Sequence, residues 1–264
     1  RVAMNCFKKF LFSEVTAYTE PSIGVSDPSL SDKNWWNELK HTPSFKPEYW
    51  SRYYDYLLKK PSWSITAVEN INSSTDEIMN SLTNPRKGMA GERMGMVFGY
   101  VQSGKTAHYI GMINKAYDAG YRIVIVLSGI HNSLRSQTQS RIDEEVLGYE
   151  TSLESIGDMT RERNAIGVGI GPYNQVETPV QSITTRDEKG DVNKKTEGVS
   201  MMPPLMVVTK KNASVLRKIL RFFRKNYCAE IIGGKKKIPA KYPALIIDDE
   251  ADQASINTRA SYDD

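Results

Sequence analysis

The residues from Gly99 to Thr106 read G-Y-V-Q-S-G-K-T and match the phosphate-loop pattern G-x-x-x-x-G-K-[ST] in full. In such a loop the glycines let backbone amides turn toward an anion, and the helix that follows presents its positive end to the same anion. Lys105 is expected to reach the β- and γ-phosphates of ATP, and the Thr106 hydroxyl to complete the shell of a Mg²⁺ ion. The predicted nucleotide-binding residues are Gly99, Gln102, Ser103, Gly104, Lys105 and Thr106.

The second candidate group is the run L-I-I-D-D-E-A-D, from Leu245 to Asp252. An apolar strand that ends in acids delivers their carboxylates to the carboxyl edge of a parallel sheet, where ligands bind in open α/β folds. We predict that Asp249 binds the Mg²⁺ ion and that Glu250 takes a proton from the attacking water. Asp248 would replace Asp249 as the metal ligand if the strand ended one residue earlier.

The last four residues of this run, Asp249 to Asp252, spell D-E-A-D. A small-molecule kinase has no need of such a run, whereas helicase-like motors use it to couple hydrolysis to movement. We therefore assign a coupling role to Asp252. The two motifs, in this order along the chain, resemble those of superfamily-two helicases.

Elements of two kinds are needed to position these residues. A short apolar run, Met94 to Phe98, is the predicted strand before the phosphate loop, and strands and helices alternate after it. The predicted helices are Thr106 to Ala119, about Ser133 to Glu145, and Ala213 to Asn226; the predicted strands are Tyr121 to Leu127, Leu205 to Thr209, and Ala244 to Ile247. This order predicts an α/β fold, a RecA-like lobe with a mainly parallel sheet flanked by helices.

The N-terminal third has a different character. Tyr and Trp residues recur at helical spacing between Pro47 and Lys60, which predicts a helix with one packed face. A capping box at Ser74 and Glu77 predicts the start of a further short helix that ends before Pro85. We therefore divide the chain into a mostly helical N-terminal extension, residues 1–85, and the P-loop ATPase lobe, residues 86–264.

The middle of the lobe, residues 148–200, shows weaker patterns. Ala165 to Ile170 and Val180 to Thr185 are the candidate short strands. Arg186 to Ser200 is polar and charged, and we predict that it is mobile.

Three longer runs carry a closer resemblance: V-F-G-Y-V-Q-S-G-K-T-A-H-Y-I-G, A-Y-D-A-G-Y-R-I-V-I-V-L-S-G-I-H-N-S-L-R-S-Q-T-Q-S-R-I-D and A-L-I-I-D-D-E-A-D-Q-A-S-I-N-T. Together they are similar to the Z-one domain family of bacteria and phages, over about Arg93 to Thr258. That family is often labelled an endonuclease domain, yet its motifs are those of a helicase-type ATPase, and it occurs in long proteins encoded beside restriction and phage-defence genes. The resemblance implies that Lys105, Thr106, Asp249 and Glu250 form the nucleotide site, and it also implies an antiviral context and defence-system partner proteins.

Nucleic acid is the expected partner, and DNA is favoured. Polar side chains after the second predicted strand suit phosphate contacts, although they equally suit the polar face of a surface helix or pairing with the acidic site. The candidate contacts are Asn132, Arg135, Gln137 and Arg141. Residues 210–241 contain eleven basic residues and one acid, Glu230, for a net charge of +10, which fits a polyanion or a solvated surface equally well.

Composition excludes several classes of protein. No stretch approaches the run of about 18 apolar residues that a membrane helix needs. Cys6 and Cys228 are too few for a disulfide framework, and His41, His108 and His131 have no metal-ligand spacing. We expect a cytoplasmic protein, and no carboxylate–lysine group apart from the ATP site supports a nuclease.

The chain begins at Arg1 and contains one motor lobe, so we expect it to be a fragment of a two-lobe motor. Such motors complete their site with an arginine from the second lobe, and the fragment alone should bind ATP but hydrolyse it poorly. The alternative is a nucleotide-gated switch that binds ATP and signals to partner proteins without translocating.

Overall fold

The computed structural model describes residues 34–87, 93–97, 105–153, 163–171, 176–192, 202, 204–227, 230–232 and 235–251. The chain forms two compact units, Arg1–Ala119 and Gly120–Asp264. Several residues singled out above lie outside the described part: Cys6, Gly99, Gln102, Ser103, Gly104, Cys228 and Asp252.

The described part of the first unit is helical. Its α-helices are α1 (Trp35–Lys40), α2 (Glu48–Lys59), α3 (Ile65–Ser81) and α4 (Lys105–Ala119), and a 3₁₀ turn spans Pro85–Lys87. The predicted helix from Pro47 to Lys60 is confirmed as α2, and its aromatic stripe is core, because Tyr49, Trp50 and Tyr53 are buried. Helix α4 packs against α2 and α3.

The capping box predicted at Ser74 is wrong. Helix α3 begins ten residues earlier, where the Ser64 hydroxyl oxygen accepts a hydrogen bond from the backbone N–H of Ala67 at 3.1 Å. Ser74 lies inside the helix, and its hydroxyl donates to the carbonyl of Ile71 at 3.2 Å. A serine inside a helix can bind the carbonyl of the preceding turn in this way. In sequence, such a serine looks the same as one that caps the start of a helix.

The apolar run before the phosphate loop also differs from its prediction. Residues 93–97 have no regular secondary structure, and the side chains of Met94, Met96 and Val97 are exposed. A strand exists only when a neighbour completes its hydrogen-bond ladder, and none of the described strands pairs with this segment.

The second unit contains a four-stranded sheet with all strands parallel. Its strands are β1 (Ile123–Ser128), β2 (Gln181–Ser182), β3 (Leu205–Thr209) and β6 (Ala244–Asp249), in the spatial order β2-β3-β1-β6. Helices α5 (Asn132–Ile142) and α6 (Ala213–Asn226) belong to the same unit. A π-helical turn, Asp143–Leu147, extends α5, a 3₁₀ turn spans Gly167–Gly169, and β4 (Glu230–Ile232) pairs antiparallel with β5 (Lys235–Lys237).

The core of this unit lies on the sheet face that carries Ile123, Leu205 and Val207. Helix α6 covers this face with Val215, Ile219, Phe222 and Phe223, as its apolar spacing predicts. Strand β3 is buried at all five positions, which is typical of a central parallel strand. The predicted α/β class and parallel sheet are therefore confirmed.

The middle segment is more ordered than its composition indicates. Residues 165–170 form no strand, because Ala165 makes only an isolated bridge to Tyr149 and a 3₁₀ turn follows. Of the second candidate strand, only Gln181 and Ser182 pair with β3. Within the polar run from Arg186, Gly190 and Val192 are buried, and Val192 lies in the core beneath α6, whereas Glu188 and Lys189 are exposed. Residues 193–200 lie outside the described part.

The boundary between the units, after Ala119, is later than the predicted boundary near residue 85. The difference arises because α4, which follows the phosphate loop, buries ten of its fifteen residues and packs on the helices that precede it. The prediction placed this helix in the ATPase lobe because it lies between the phosphate loop and β1 in the sequence.

Candidate functional site

Helix α4 begins at Lys105, the residue that the phosphate-loop pattern assigns to the β- and γ-phosphates. Lys105 is exposed and Thr106 is partly exposed, so both are accessible at the first turn of a fifteen-residue helix. The backbone N–H groups of a first helical turn lack partners within the helix and carry partial positive charge. This end of α4 can therefore receive an anion next to the Lys105 ammonium.

The position of α4 depends on a buried lysine that sequence reasoning missed. The Lys115 ammonium donates to the Asn72 carbonyl at 2.7 Å and to Asp76 Oδ1 at 2.7 Å, and it lies 4.2 Å from the centre of the Trp50 ring. Burial lowers the pKa of Lys115 to about 8, and the neighbouring Asp76 opposes that shift. Lys115 therefore links α4 to α3. The sequence feature that could have identified it is a lysine among the apolar residues of a buried helix.

Asp118, at the other end of α4, holds the start of α2. Its two carboxylate oxygens accept hydrogen bonds from the backbone N–H groups of Tyr49 at 2.9 Å and Trp50 at 2.8 Å. Burial raises the pKa of this carboxyl to about 7, although the same two N–H groups act in the opposite direction. The carboxylate of one helix thus satisfies first-turn donors of another.

Raising the pH from about 4 to about 7 should destabilise the first unit through Asp118. The unfolded chain, with an ordinary carboxyl pKa of about 3.9, releases its proton early in this range, whereas the folded unit retains it until about pH 7. The folded state binds more protons, so the free energy of unfolding falls as pH rises. Urea unfolding followed by tryptophan fluorescence reports on this unit, which contains Trp35, Trp36, Trp50 and Trp63.

Asp118→Asn is the control for this titration. The variant should lose stability at every pH, because an amide offers one acceptor where the carboxylate offers two. Its stability should also change less between pH 4 and pH 7 than that of the parent. The same pH dependence in both proteins would show that Asp118 does not titrate in this range.

In the second unit, the loops that follow β1, β3 and β6 meet at the carboxyl edge of the sheet. The Ser128 hydroxyl donates to the Thr209 carbonyl at 3.3 Å, and the backbone N–H of Lys211 donates to the Gly129 carbonyl at 2.8 Å. Strand β6 extends two residues beyond its predicted end and carries Asp248 and Asp249 within it. Glu250 follows at once, so all three acids lie at this edge.

The side chains of Asp248 and Asp249 have different surroundings. Asp248 pairs with Lys211, whose ammonium lies 2.6 Å from Asp248 Oδ1. Asp249 lies beside Ser128 in the register of β1 and β6, on the opposite sheet face from Asp248. Within the described part of the chain, the Asp249 carboxylate makes no hydrogen bond or ion pair. Asp249 is therefore the one of the two whose charge is not already neutralised by a lysine.

Comparison with protein-family models, curated proteins and solved structures finds no match to this chain. None of the described helices has the length and apolar character needed to cross a membrane.

The predicted nucleic-acid contact at Arg135 is wrong. Its side chain has no exposed surface, and its guanidinium donates to the carbonyls of Thr185, at 2.7 Å, and Asp187. Its Nε also lies 3.8 Å from Asp191 Oδ2. Arg135 joins α5 to residues 185–191, which form the loop after β2, and its burial keeps its guanidinium out of reach of a phosphate on the surface.

The other three candidate contacts are placed differently from one another. Gln137 is exposed, and the Asn132 side chain accepts a hydrogen bond from the Lys210 ammonium at 2.6 Å. The Arg141 side chain is 42% exposed, and its Nη2 lies 3.4 Å from Glu145 Oε2. Of these residues, only Gln137 is exposed without a recorded partner in the described part of the chain.

Sequence reasoning also missed a buried polar cluster beneath α5. The Gln139 amide donates to Asp143 at 2.8 Å and accepts from the Thr184 hydroxyl at 2.8 Å. Asp143 also accepts from the backbone N–H and the hydroxyl of Thr151. Burial raises the pKa of Asp143 to about 6, while these hydrogen bonds and Arg186 counteract the rise. The cluster fixes the middle segment against the sheet.

A resident metal ion would need several ligand side chains close together. In the described residues, no group of three or more His, Cys, Asp or Glu side chains could hold one. Mg²⁺ in nucleotide sites usually keeps several waters and takes only one or two protein carboxylates together with phosphate oxygens. The unpaired Asp249 carboxylate fits a Mg²⁺ ion that arrives with a nucleotide.

Proposed function

We propose that this chain is the ATP-binding and ATP-hydrolysing lobe of a helicase-like or translocase-like motor that acts on nucleic acid. The observation that carries the proposal is the phosphate-loop sequence whose lysine, Lys105, begins helix α4. The acids at the carboxyl end of β6 add to it, and the parallel sheet agrees with a RecA-like lobe.

In this proposal each residue has one chemical task. Lys105 and the first turn of α4 bind the β- and γ-phosphates, and Thr106 and Asp249 hold Mg²⁺. The metal, when bound, neutralises charge on the phosphates. Glu250 accepts a proton from the water that attacks the γ-phosphate, and its exposure leaves it accessible to that water.

The proposed partner is nucleic acid, most naturally DNA in a restriction or phage-defence setting, as the resemblance to the Z-one domain family implies. The exposed side of α6 supports a polyanionic partner, because Arg217, Arg221 and Arg224 lie along it. Asp252 is the proposed coupling residue. A second lobe in the same full-length protein would complete the motor.

A second candidate function is a nucleotide-gated switch that binds partner proteins and does not translocate. Three observations favour it: Arg135 is buried in the protein, Arg141 pairs with Glu145, and Asn132 accepts a hydrogen bond from Lys210. Three of the four side chains expected to contact nucleic acid are therefore engaged within the chain.

Lys105→Ala should weaken ATP binding and remove ATP turnover, because it deletes the charge that faces the β- and γ-phosphates. Loss of one preorganised charge-stabilising group costs a factor of about 10² to 10³ in rate. Binding of ATP with Mg²⁺ is measured by calorimetry, and turnover is measured by phosphate release. Lys59→Ala, which removes an exposed lysine of the same unit, is the matched control and should behave as the parent. Equal turnover by Lys105→Ala and a full-length parent that hydrolyses ATP would refute the ATPase proposal.

The same phosphate-release assay separates the two candidate functions. Single-stranded DNA, duplex DNA and RNA are each added at low and high salt, since phosphate contacts weaken as salt rises. Stimulation that falls with salt supports the motor. If the full-length protein binds ATP and no nucleic acid stimulates its phosphate release, the switch is supported.

A further inference from the structure

The backbone of Glu250 adopts a conformation that glutamate rarely takes. Its φ is 55°, in the left-handed region, and Asn34 is the other non-glycine residue with positive φ in the described part of the chain. This region is unfavourable for residues with a long side chain, because the Cβ approaches the following carbonyl. Such strain persists only where surrounding contacts hold it, and it is concentrated at functional sites.

Lys211 supplies those contacts. Its ammonium donates to the backbone carbonyl of Glu250 and lies 2.6 Å from Asp248 Oδ1, while its own backbone N–H donates to the Gly129 carbonyl at 2.8 Å. The Lys211 side chain is only 9% exposed. Lys211, from the loop after β3, therefore connects the loops that follow β1 and β6.

The side chain of Glu250 lies over Gly129. A Cβ built at Gly129 would stand 3.6 Å from Glu250 Oε2, and Gly129 itself has a φ of +37°. A Cβ at Gly129 would clash with Leu134, whose Cδ1 would be 2.8 Å away, whereas its contact with Glu250 would be an ordinary van der Waals contact. The carboxylate is thus directed along the ends of the strands.

We propose that Lys211 is a positioning residue that fixes Glu250 in its left-handed conformation, and that Asp248 orients Lys211 and does not bind metal. The proposal rests on the proposed ATPase function for its kinetic consequence. Lys211 acts through the Glu250 backbone, so its loss should leave nucleotide binding unchanged and slow the chemical step. A misplacement of about 1 Å at a reacting group can cost about 10²-fold in rate.

The kinetic test compares Lys211→Met with Lys211→Arg in single-turnover ATP hydrolysis and in ATP binding. We expect Lys211→Met to lower the rate constant by about 10²-fold with the Kd for ATP unchanged. Lys211→Arg keeps a cation and donors, so its rate constant should lie closer to the parent's than that of Lys211→Met. Lys210→Met removes the neighbouring lysine, which contacts Asn132 and not Glu250, and should match the parent. A weaker Kd with an unchanged rate constant would overturn the proposal.

A double variant tests whether Lys211 acts through Glu250. In the Glu250→Gln background the base is already absent, so adding Lys211→Met should produce no further loss. A further loss of about 10²-fold, as expected for independent effects, would overturn the positioning role.

A crystal structure of Lys211→Met provides a readout that does not depend on ATPase activity. We expect residue 250 to leave the left-handed region and its carboxylate to move away from Gly129. An unchanged Glu250 would overturn the proposal. If Glu250 moves while Lys105→Ala and the parent turn over ATP equally, the positioning role stands and the ATPase proposal fails.

Discussion

Glu250→Gln is expected to bind ATP with Mg²⁺ as the parent does and to hydrolyse it about 10²- to 10⁴-fold more slowly, the usual contribution of a general base. Glutamine keeps the shape of the side chain, and its backbone carbonyl can still accept from Lys211. It loses only the ability to take a proton from water. Binding and chemistry should therefore separate, and the loss should appear in the rate constant.

The measurement is single-turnover hydrolysis beside ATP binding for the parent, Glu250→Gln and Asp249→Asn. Asp249→Asn should instead weaken the Mg²⁺-dependent part of ATP binding, because it removes the proposed metal ligand. Glu188→Gln makes the same chemical change at an exposed position of the same unit and should have no effect. If Asp249→Asn binds ATP normally but does not hydrolyse it, while Glu250→Gln stays active, the roles of the two acids are exchanged.

Arg135→Met is expected to destabilise the second unit by about 3 to 5 kcal/mol, the usual cost of removing one partner of a buried ion pair. Methionine fills much of the volume and removes every donor. The carbonyls of Thr185 and Asp187 and the carboxylate of Asp191 would then lose their guanidinium partner. The loop after β2 should loosen first, because Arg135 links it to α5 through two of its carbonyls.

Amide hydrogen exchange of β1 and β3 measures this loss in the second unit without reference to the first. Arg217→Met, an exposed arginine on α6, is the control and should change stability by less than about 0.5 kcal/mol. Equal protection in Arg135→Met and Arg217→Met would mean that the buried contacts of Arg135 contribute little. DNA binding that is lost in Arg135→Met with full protection retained would restore its role as a contact.

Local patterns predicted the regular elements well wherever one signal dominated. The bounds of β3 and α6 agree with the prediction at both ends, because three of the five residues of β3 are β-branched and apolar residues recur at helical spacing along α6. The helix after the phosphate loop ends at Ala119 as predicted, with Gly120 at a φ of 109° just beyond its last turn, and it begins at Lys105, one residue before its predicted start. The capping box at Ser74 failed because a serine inside a helix has the same local appearance.

Sequence by itself determined the chemistry that this chain offers: a lysine and a threonine at the start of one helix, and three acids at the end of one strand. Only the tertiary structure decided which polar residues remain available for that chemistry. Arg135 binds a carbonyl 50 residues away, and Lys211 binds one 39 residues away. Helix α5 is polar on all sides, so no periodic signal marks its buried arginine. The partners of a buried charge depend on contacts distant in sequence, and a local pattern carries no information about them.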